Sequence, residues 1–212
     1  LNEEVPEPFS YQPAPRVLYG PDGSSVTRAA EMLLQAERPV IYAGQGVHYA
    51  RAWRAFRELA ELLEAPVTTS LGGKSVFPEN HPLSLGSGGL STTQMVHEFL
   101  SDADLIFGVG CSFTNTPFWL SMPSSAKILH ATLDSADINK DVPVEHGLVG
   151  DARLVLEALI DEIKPRLNPI GRERAERISR RIQAIRKKWM AAWKPKLTSS
   201  QQPLSPYRVI WD

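Results

Sequence analysis

Arg38-Pro39-Val40-Ile41-Tyr42-Ala43-Gly44-Gln45-Gly46-Val47 is the stretch whose reading decides the fold. Four apolar residues, Val40 to Ala43, follow a proline and end at a Gly-x-Gly turn, the pattern of a buried strand delivering the chain to a helix. Bare backbone N–H groups at such a turn can receive phosphate, so the unit is typical of α/β domains that bind nucleotides. A full dinucleotide fingerprint would place another glycine three residues after Gly46, where this chain has Tyr49. The stretch predicts the fold and leaves the ligand open.

Downstream, Trp53, Phe56, Leu59, Ala60 and Leu63 recur at helical spacing, which predicts one amphipathic helix over about Ala50 to Leu63 with Trp53 in the core. Val67-Thr68-Thr69 reads as a second strand, and the glycine- and proline-rich run Leu71 to Gly89 as a long loop over the strand ends. Ser91 or Thr92 is the expected cap of a helix carrying Met95, Val96, Phe99 and Leu100. Leu105 to Gly110 and Lys127 to Leu133 are further strands, and Leu148-Val149-Gly150 runs into a helix opening at Asp151. Upstream, Ser24-Ser25 reads as the cap of a helix with Val26, Ala29, Ala30, Leu33 and Leu34 on its apolar side. Strands alternating with helices predict a doubly wound, mainly parallel six-stranded α/β sheet over about residues 20–165.

Both ends differ in character from this middle. Residues 1–19, rich in proline, read as an extended interdomain linker. Arg172 to Lys188 holds eight basic residues against two acidic ones, with Ile178, Ile182, Ile185 and Trp189 as one stripe. That pattern predicts a solvated connecting helix, over 166–198, which packs its stripe on a neighbour. Residues 199–212 start a new apolar pattern.

A net charge of −1 and the lack of a recognition motif argue against nucleic acid, and no apolar run approaches the about 18 residues of a membrane span. The single cysteine, Cys111, rules out an intrachain disulfide and fits a reducing cytoplasm. It reads as a small buried hydrophobe rather than a reactive thiolate. The five histidines are scattered without metal-ligand spacing, and no Gly-x-Ser-x-Gly elbow presents a nucleophile. A dinucleotide-dependent dehydrogenase would carry an acidic residue at the end of the second strand, which here ends Thr68-Thr69-Ser70. A sirtuin-like deacylase would need a catalytic histidine motif that the sequence lacks.

Taken in order, these units resemble the central domain of thiamine-diphosphate-dependent enzymes of the acetolactate synthase type. The resemblance rests on Arg38 to Val47, Gly73 to Gly86, Asp102 to Cys111 and Asp134 to Lys140. It implies a three-domain, homo-oligomeric parent that decarboxylates a 2-oxo acid and often ligates the product to a second carbonyl compound. The parent's thiamine diphosphate and magnesium would be held by flanking N- and C-terminal domains, with residues 199–212 as the threshold of the latter. The start at Leu1, without methionine, is likewise expected of a cut inside a longer polypeptide. The sequence has no Gly-Asp-Gly, and Gly150-Asp151-Ala152 is a poor substitute, so this segment is expected to hold no catalytic residue.

The resemblance also implies FAD or an adenine nucleotide across the strand ends. The contacts would come from Gly44, Gln45 and Gly46, from Thr69, Ser70 and Leu71, from Gly86, Ser87 and Gly88, from Gly110 and Cys111, and from Asp134 and Asp151. Two departures stand against FAD. The family's Gly-Met-His-Gly is here Gly86-Ser87-Gly88-Gly89, and its Arg-Phe-Asp-Asp-Arg is Ser112-Phe113-Thr114-Asn115-Thr116, without an arginine to pair with diphosphate. Left open beside them are an NAD- or CoA-type module of another enzyme and a ligand-free scaffold or oligomerisation domain.

Overall fold

The computed structural model describes residues 12, 13, 15, 17–89, 92–115, 120–167 and 173–212. Six strands, β1 (Pro39–Ala43), β2 (Val67–Thr69), β3 (Ser84–Ser87), β4 (Leu105–Val109), β5 (Lys127–Thr132) and β6 (His146–Val149), form one sheet. Their order is β3-β2-β1-β4-β5-β6, and every neighbouring pair is parallel. The helices are α1 (Gly23–Gln35), α2 (Gly46–Tyr49), α3 (Trp53–Leu63), α4 (Gln94–Asp102), α5 (Ala152–Ile163), α6 (Arg174–Leu197) and α7 (Pro206–Trp211).

The period of two along each strand decides which layer a side chain joins. Ile41 and Ala43 of β1, Phe107 of β4, Leu129 of β5 and Leu148 of β6 point to the face covered by α1, α3 and α5, where Leu33, Phe56, Leu59 and Leu156 complete one core. Val40, Tyr42, Ile106 and Ile128 point the other way, onto Val96, Phe99 and Leu100 of α4 and Ile182 and Ile185 of α6. Both faces are covered, which is why β1 and β4 are buried along their whole length. β1 lies between β2 and β4, so the chain's winding reverses there and leaves a crevice at the carboxyl ends of these strands.

Several local expectations are corrected. The sixth strand, β3, lies inside the run expected to be a loop. It is a short edge strand held to β2 with a shift in register between Val67 and Thr68. The cap of α1 is Asp22, not Ser24 or Ser25; its carboxylate accepts from the Ser24 hydroxyl at 2.5 Å and from the Ser25 N–H at 2.9 Å, and these hydrogen bonds lower the Asp22 pKa. Thr93, not Thr92, caps α4; Ser91 lies outside the described residues. The helix expected over Ala50 to Leu63 is α3 alone and starts later, at Trp53, because Arg51 at φ 52° turns the chain between it and the separate short helix α2. Trp53 is 44% exposed rather than core, and its indole N–H donates to His48 Nδ1 at 2.9 Å. Trp189 stacks on Trp193 at 5.4 Å between ring centres, and Trp193 in turn meets Tyr207 of α7. Trp119 and residues 1–11 lie outside the described residues.

Candidate functional site

The crevice is a cleft of about 570 Å³, walled by the turns just past the strand ends. From the turn after β1 come Gly44, Gln45 and Gly46, and from the turn after β2 come Ser70 and Leu71. Gly88 lies just past β3, Gly110 and Cys111 past β4, Asp134 past β5 and Asp151 past β6. The structure brings these ten sequence-derived candidates together. It leaves Thr69, Gly86 and Ser87 out, in the ladder beneath the rim: Thr69 Oγ1 meets Ser87 Oγ at 3.0 Å, and the Gly86 carbonyl accepts from Thr68 Oγ1 at 2.9 Å. Sequence reasoning missed Tyr42, Tyr49, Thr114, Thr132 and Asp137, which also line the cleft. Asp137 carried a signal, since it sits three residues after Asp134 in a turn that the Asp134 carboxylate caps through the Ala136 N–H at 2.9 Å.

The glycines of the opening turn serve packing between neighbouring turns. A Cβ on Gly44 would lie 2.3 Å from the Gly110 carbonyl oxygen, and one on Gly46 would lie 2.7 Å from Gly110 Cα. Gly110 itself sits at φ +59°, where a side chain would be strained. This close approach also engages the amides that a phosphate would need. The Gly46 N–H donates to Gly110 O at 2.8 Å, the Gly44 N–H to Val109 O at 2.8 Å, and the Val47 N–H to Gly44 O at 3.3 Å. The Gly110 N–H donates to Ala131 O at 2.8 Å. With α2 only one turn long, the β1 turn offers little to an anion.

Electrostatics point the same way. Asp134, Asp137 and Asp151 line the cleft, and no described lining residue is Lys or Arg. Asp151 is 2% exposed and caps α5 by accepting the Arg153 N–H at 3.1 Å. Lys140 stands 3.7 Å from Asp137 and donates to Thr114 Oγ1 at 3.2 Å. Arg51 and Arg153, next to lining residues in sequence, line a separate groove between α3 and α5 with Glu58, Glu157 and Asp161.

Beneath the cleft, burial pushes the Cys111 thiol up to about 12, so it stays protonated and acts as a small apolar side chain. Burial also raises the Tyr42 phenol well above its usual value. His130 is fully buried on β5, and desolvation lowers its pKa. Its Nε2–H donates to Cys111 O at 2.7 Å, which leaves Nδ1 as the buried side-chain polar atom without a hydrogen-bond partner among the described residues. The described residues contain no group of three or more His, Cys, Asp or Glu placed to hold a metal ion. Among the described lining residues no Lys or Arg is placed to pair with the diphosphate of a group such as FAD.

A doubly wound domain with strand order 3-2-1-4-5-6 and a cleft at the strand ends belongs to the nucleotide-binding-like class of α/β folds. Within that class, residues 26–159 match the family described as thiamine pyrophosphate enzyme, central domain, and the chain belongs to that family. It is 32% identical over 192 residues to an acetolactate synthase of Mycobacterium bovis, covering 90% of this chain and 30% of the relative. It is 34% identical over 171 residues to the glyoxylate carboligase of Escherichia coli O157:H7, covering 78% of this chain and 28% of the relative. The crystal structure of benzoylformate decarboxylase from Polynucleobacter necessarius shares the fold at a TM-score of 0.61 and 24% identity, over 76% of this chain and 30% of that one. The chain thus spans less than a third of the length of the relatives it matches.

Proposed function

We propose that this chain is the central, architectural domain of a thiamine-diphosphate-dependent enzyme that decarboxylates a 2-oxo acid and can ligate the product to a second carbonyl compound. The observation that carries the proposal is the family match over residues 26–159 combined with 32% identity over 192 residues to an acetolactate synthase. In such an enzyme thiamine diphosphate supplies the carbanion-stabilising centre, and magnesium anchors its diphosphate. N- and C-terminal domains of the same polypeptide would hold both, within a cytoplasmic homo-oligomer. The described residues here hold, space and orient, and they contain no group of three or more His, Cys, Asp or Glu placed to hold a metal ion. The domain's own contribution is a rigid, doubly covered sheet, with α6 and α7 leading out of it. The carboxylate-lined cleft supports a scaffold that holds no FAD over a flavin carrier.

The test is carbon dioxide release from 2-oxo acids such as pyruvate and glyoxylate. The whole polypeptide that contains this chain is expected to release it only with thiamine diphosphate and Mg²⁺, and residues 1–212 alone are expected to release none. The purified whole polypeptide should show no flavin absorbance after denaturation. Activity that is indifferent to thiamine diphosphate, or release by residues 1–212 alone, would overturn the proposal.

A further inference from the structure

A second pocket, of about 380 Å³, lies at the amino end of the sheet, between the first two turns of α6, the start of β1 and the end of α4. That volume is in the range of small-molecule sites. Pro39, Val40, Pro66, Phe99 and Ile178 give it an apolar side, with Val40 and Phe99 buried. Its charged lining is four arginines, Arg38, Arg174, Arg177 and Arg181, and two carboxylates, Glu37 and Asp102. Both carboxylates are engaged. Glu37 pairs with Arg38 at 3.3 Å, and Asp102 pairs with Arg181 at 2.5 Å, where Glu98 also approaches at 4.0 Å. The Arg174 guanidinium donates to two backbone carbonyls, Ala36 O at 3.3 Å and Leu63 O at 3.5 Å, while its backbone N–H donates to Glu64 at 3.2 Å. The Arg177 guanidinium has no partner among the described residues, and nearby Glu176 pairs with Arg180 instead, at 3.8 Å. Residues 168–172, which lead into α6, add Arg172 and no acidic side chain.

We propose that this pocket binds an organic anion, a carboxylate or phosphate carried on an apolar body, and that the bound anion clamps α6 to the sheet. Arg174 and Arg177 are neighbours three residues apart on α6, and guanidinium groups match the planar geometry of an oxyanion. A guanidinium has five N–H donors, so the two carbonyls that Arg174 serves leave it further donors for a ligand. The apolar body removes the exposed parts of the Val40, Phe99 and Ile178 side from water. A bare inorganic anion leaves that side wet, and a neutral apolar molecule leaves Arg177 unpaired, so the pocket favours the two properties in one ligand. Because one wall is α6 and the other is β1 with α4, occupancy favours the docked helix by mass action.

This pocket lies at the opposite end of the sheet from the cleft, so binding there is measured without turnover and independently of the thiamine reading. Calorimetric titration of the whole polypeptide that contains this chain uses phenyl phosphate and hexanoate as organic anions. Inorganic phosphate is the anion without a body, and benzyl alcohol the body without a charge. Each organic anion is expected to bind at least about threefold tighter than either of these two. Arg177→Glu reverses the unpaired charge and should weaken both organic anions at least about tenfold, with Arg177→Gln, the milder change, weakening them about threefold. Arg180→Gln, outside the pocket, should leave binding within about twofold. Saturating phenyl phosphate should slow trypsin cleavage within Arg177–Lys188 in the natural protein and not in Arg177→Glu. Absence of binding at millimolar concentration would overturn the proposal. So would equal affinities in the natural protein and both Arg177 variants, or inorganic phosphate binding as tightly as phenyl phosphate. Cleavage that is unchanged at saturation would overturn the clamping of α6.

Discussion

His130 couples the interior of this domain to pH. It is fully buried, its Nε2–H is bonded to Cys111 O, its ring meets Phe113 edge-on at 4.8 Å, and its Nδ1 faces no partner among the described residues. A proton on Nδ1 would place a charge in an apolar layer, so burial lowers the folded-state pKa below the ordinary 6.5. Below about pH 6.5 the unfolded chain binds a proton that the folded chain refuses, so stability present above that pH is lost as pH falls towards the folded-state value. The loss has a limiting slope of about 1.4 kcal/mol per pH unit for this one group. His130→Gln is expected to be less stable than the natural chain at pH 8 but to lose less stability between pH 6.5 and 5. Urea midpoints at several pH values measure this, and parallel pH dependences for the two proteins would refute it. The strand that carries His130 was legible, but the burial of its ring was not, because that comes from Phe113 and Cys111 of the turn after β4. Gly44, Gly46 and Gly110 were legible as a turn, but their cause was not. They are small because two turns from distant parts of the chain touch, which no local pattern records.

At the scale of elements, one side chain ties the start of α4 to the edge of the sheet. Thr93 Oγ1 accepts the Val96 N–H at 3.2 Å and donates to the Leu85 carbonyl at 2.8 Å, so the helix cap also ties α4 to the edge strand β3. Thr93→Val keeps the shape and removes both hydrogen bonds. It should cost about 1–2 kcal/mol, seen as a lower urea midpoint at an unchanged slope, while Thr93→Ser should retain most of the stability. Equal midpoints for all three proteins would show the cap to be immaterial. Strands β1, β2, β4 and β5 were legible because each is a short apolar or β-branched run between turn residues. β3 was not: Leu85 is its one large apolar residue, Gly86 takes φ +88°, and pairing with β2 alone makes it a strand. The late start of α3 was equally hidden, since nothing in Ala50–Ala52 marks the left-handed turn that Arg51 makes. Ten of the thirteen candidate site residues could be foreseen because a parallel sheet gathers its carboxyl-end turns at one edge. The acidic balance of the cleft could not, because it depends on where Arg51 and Arg153 point.

At the scale of the molecule, α6 is a long basic helix with three buried side chains, Ile182, Ile185 and Leu197. Ile182 and Ile185 are its buried apolar anchors against α4 and the sheet. Arg181 lies over the Phe99 ring at 4.5 Å and reaches Asp102. Its flanking arginines, including the Arg180 paired with Glu176 at 3.8 Å, remain in solvent. The exposed ion pairs contribute little, so the apolar anchors decide whether the helix docks. Ile182→Asp would put a carboxylate where the natural residue is 3% exposed, at a cost of several kcal/mol, about the scale of removing a core side chain. The sheet and its other cover, α1, α3 and α5, do not depend on this contact. The variant should therefore keep most of its far-UV circular dichroism while trypsin cuts the Arg177–Lys188 stretch much faster than in the natural chain. Arg180→Ala, which touches only the solvent-facing pair, should leave the cleavage rate within about twofold, as expected for a surface substitution. Slow, unchanged cleavage in Ile182→Asp would mean that α6 docks through its charges. Global unfolding of that variant would mean that α6 is an integral part of the core.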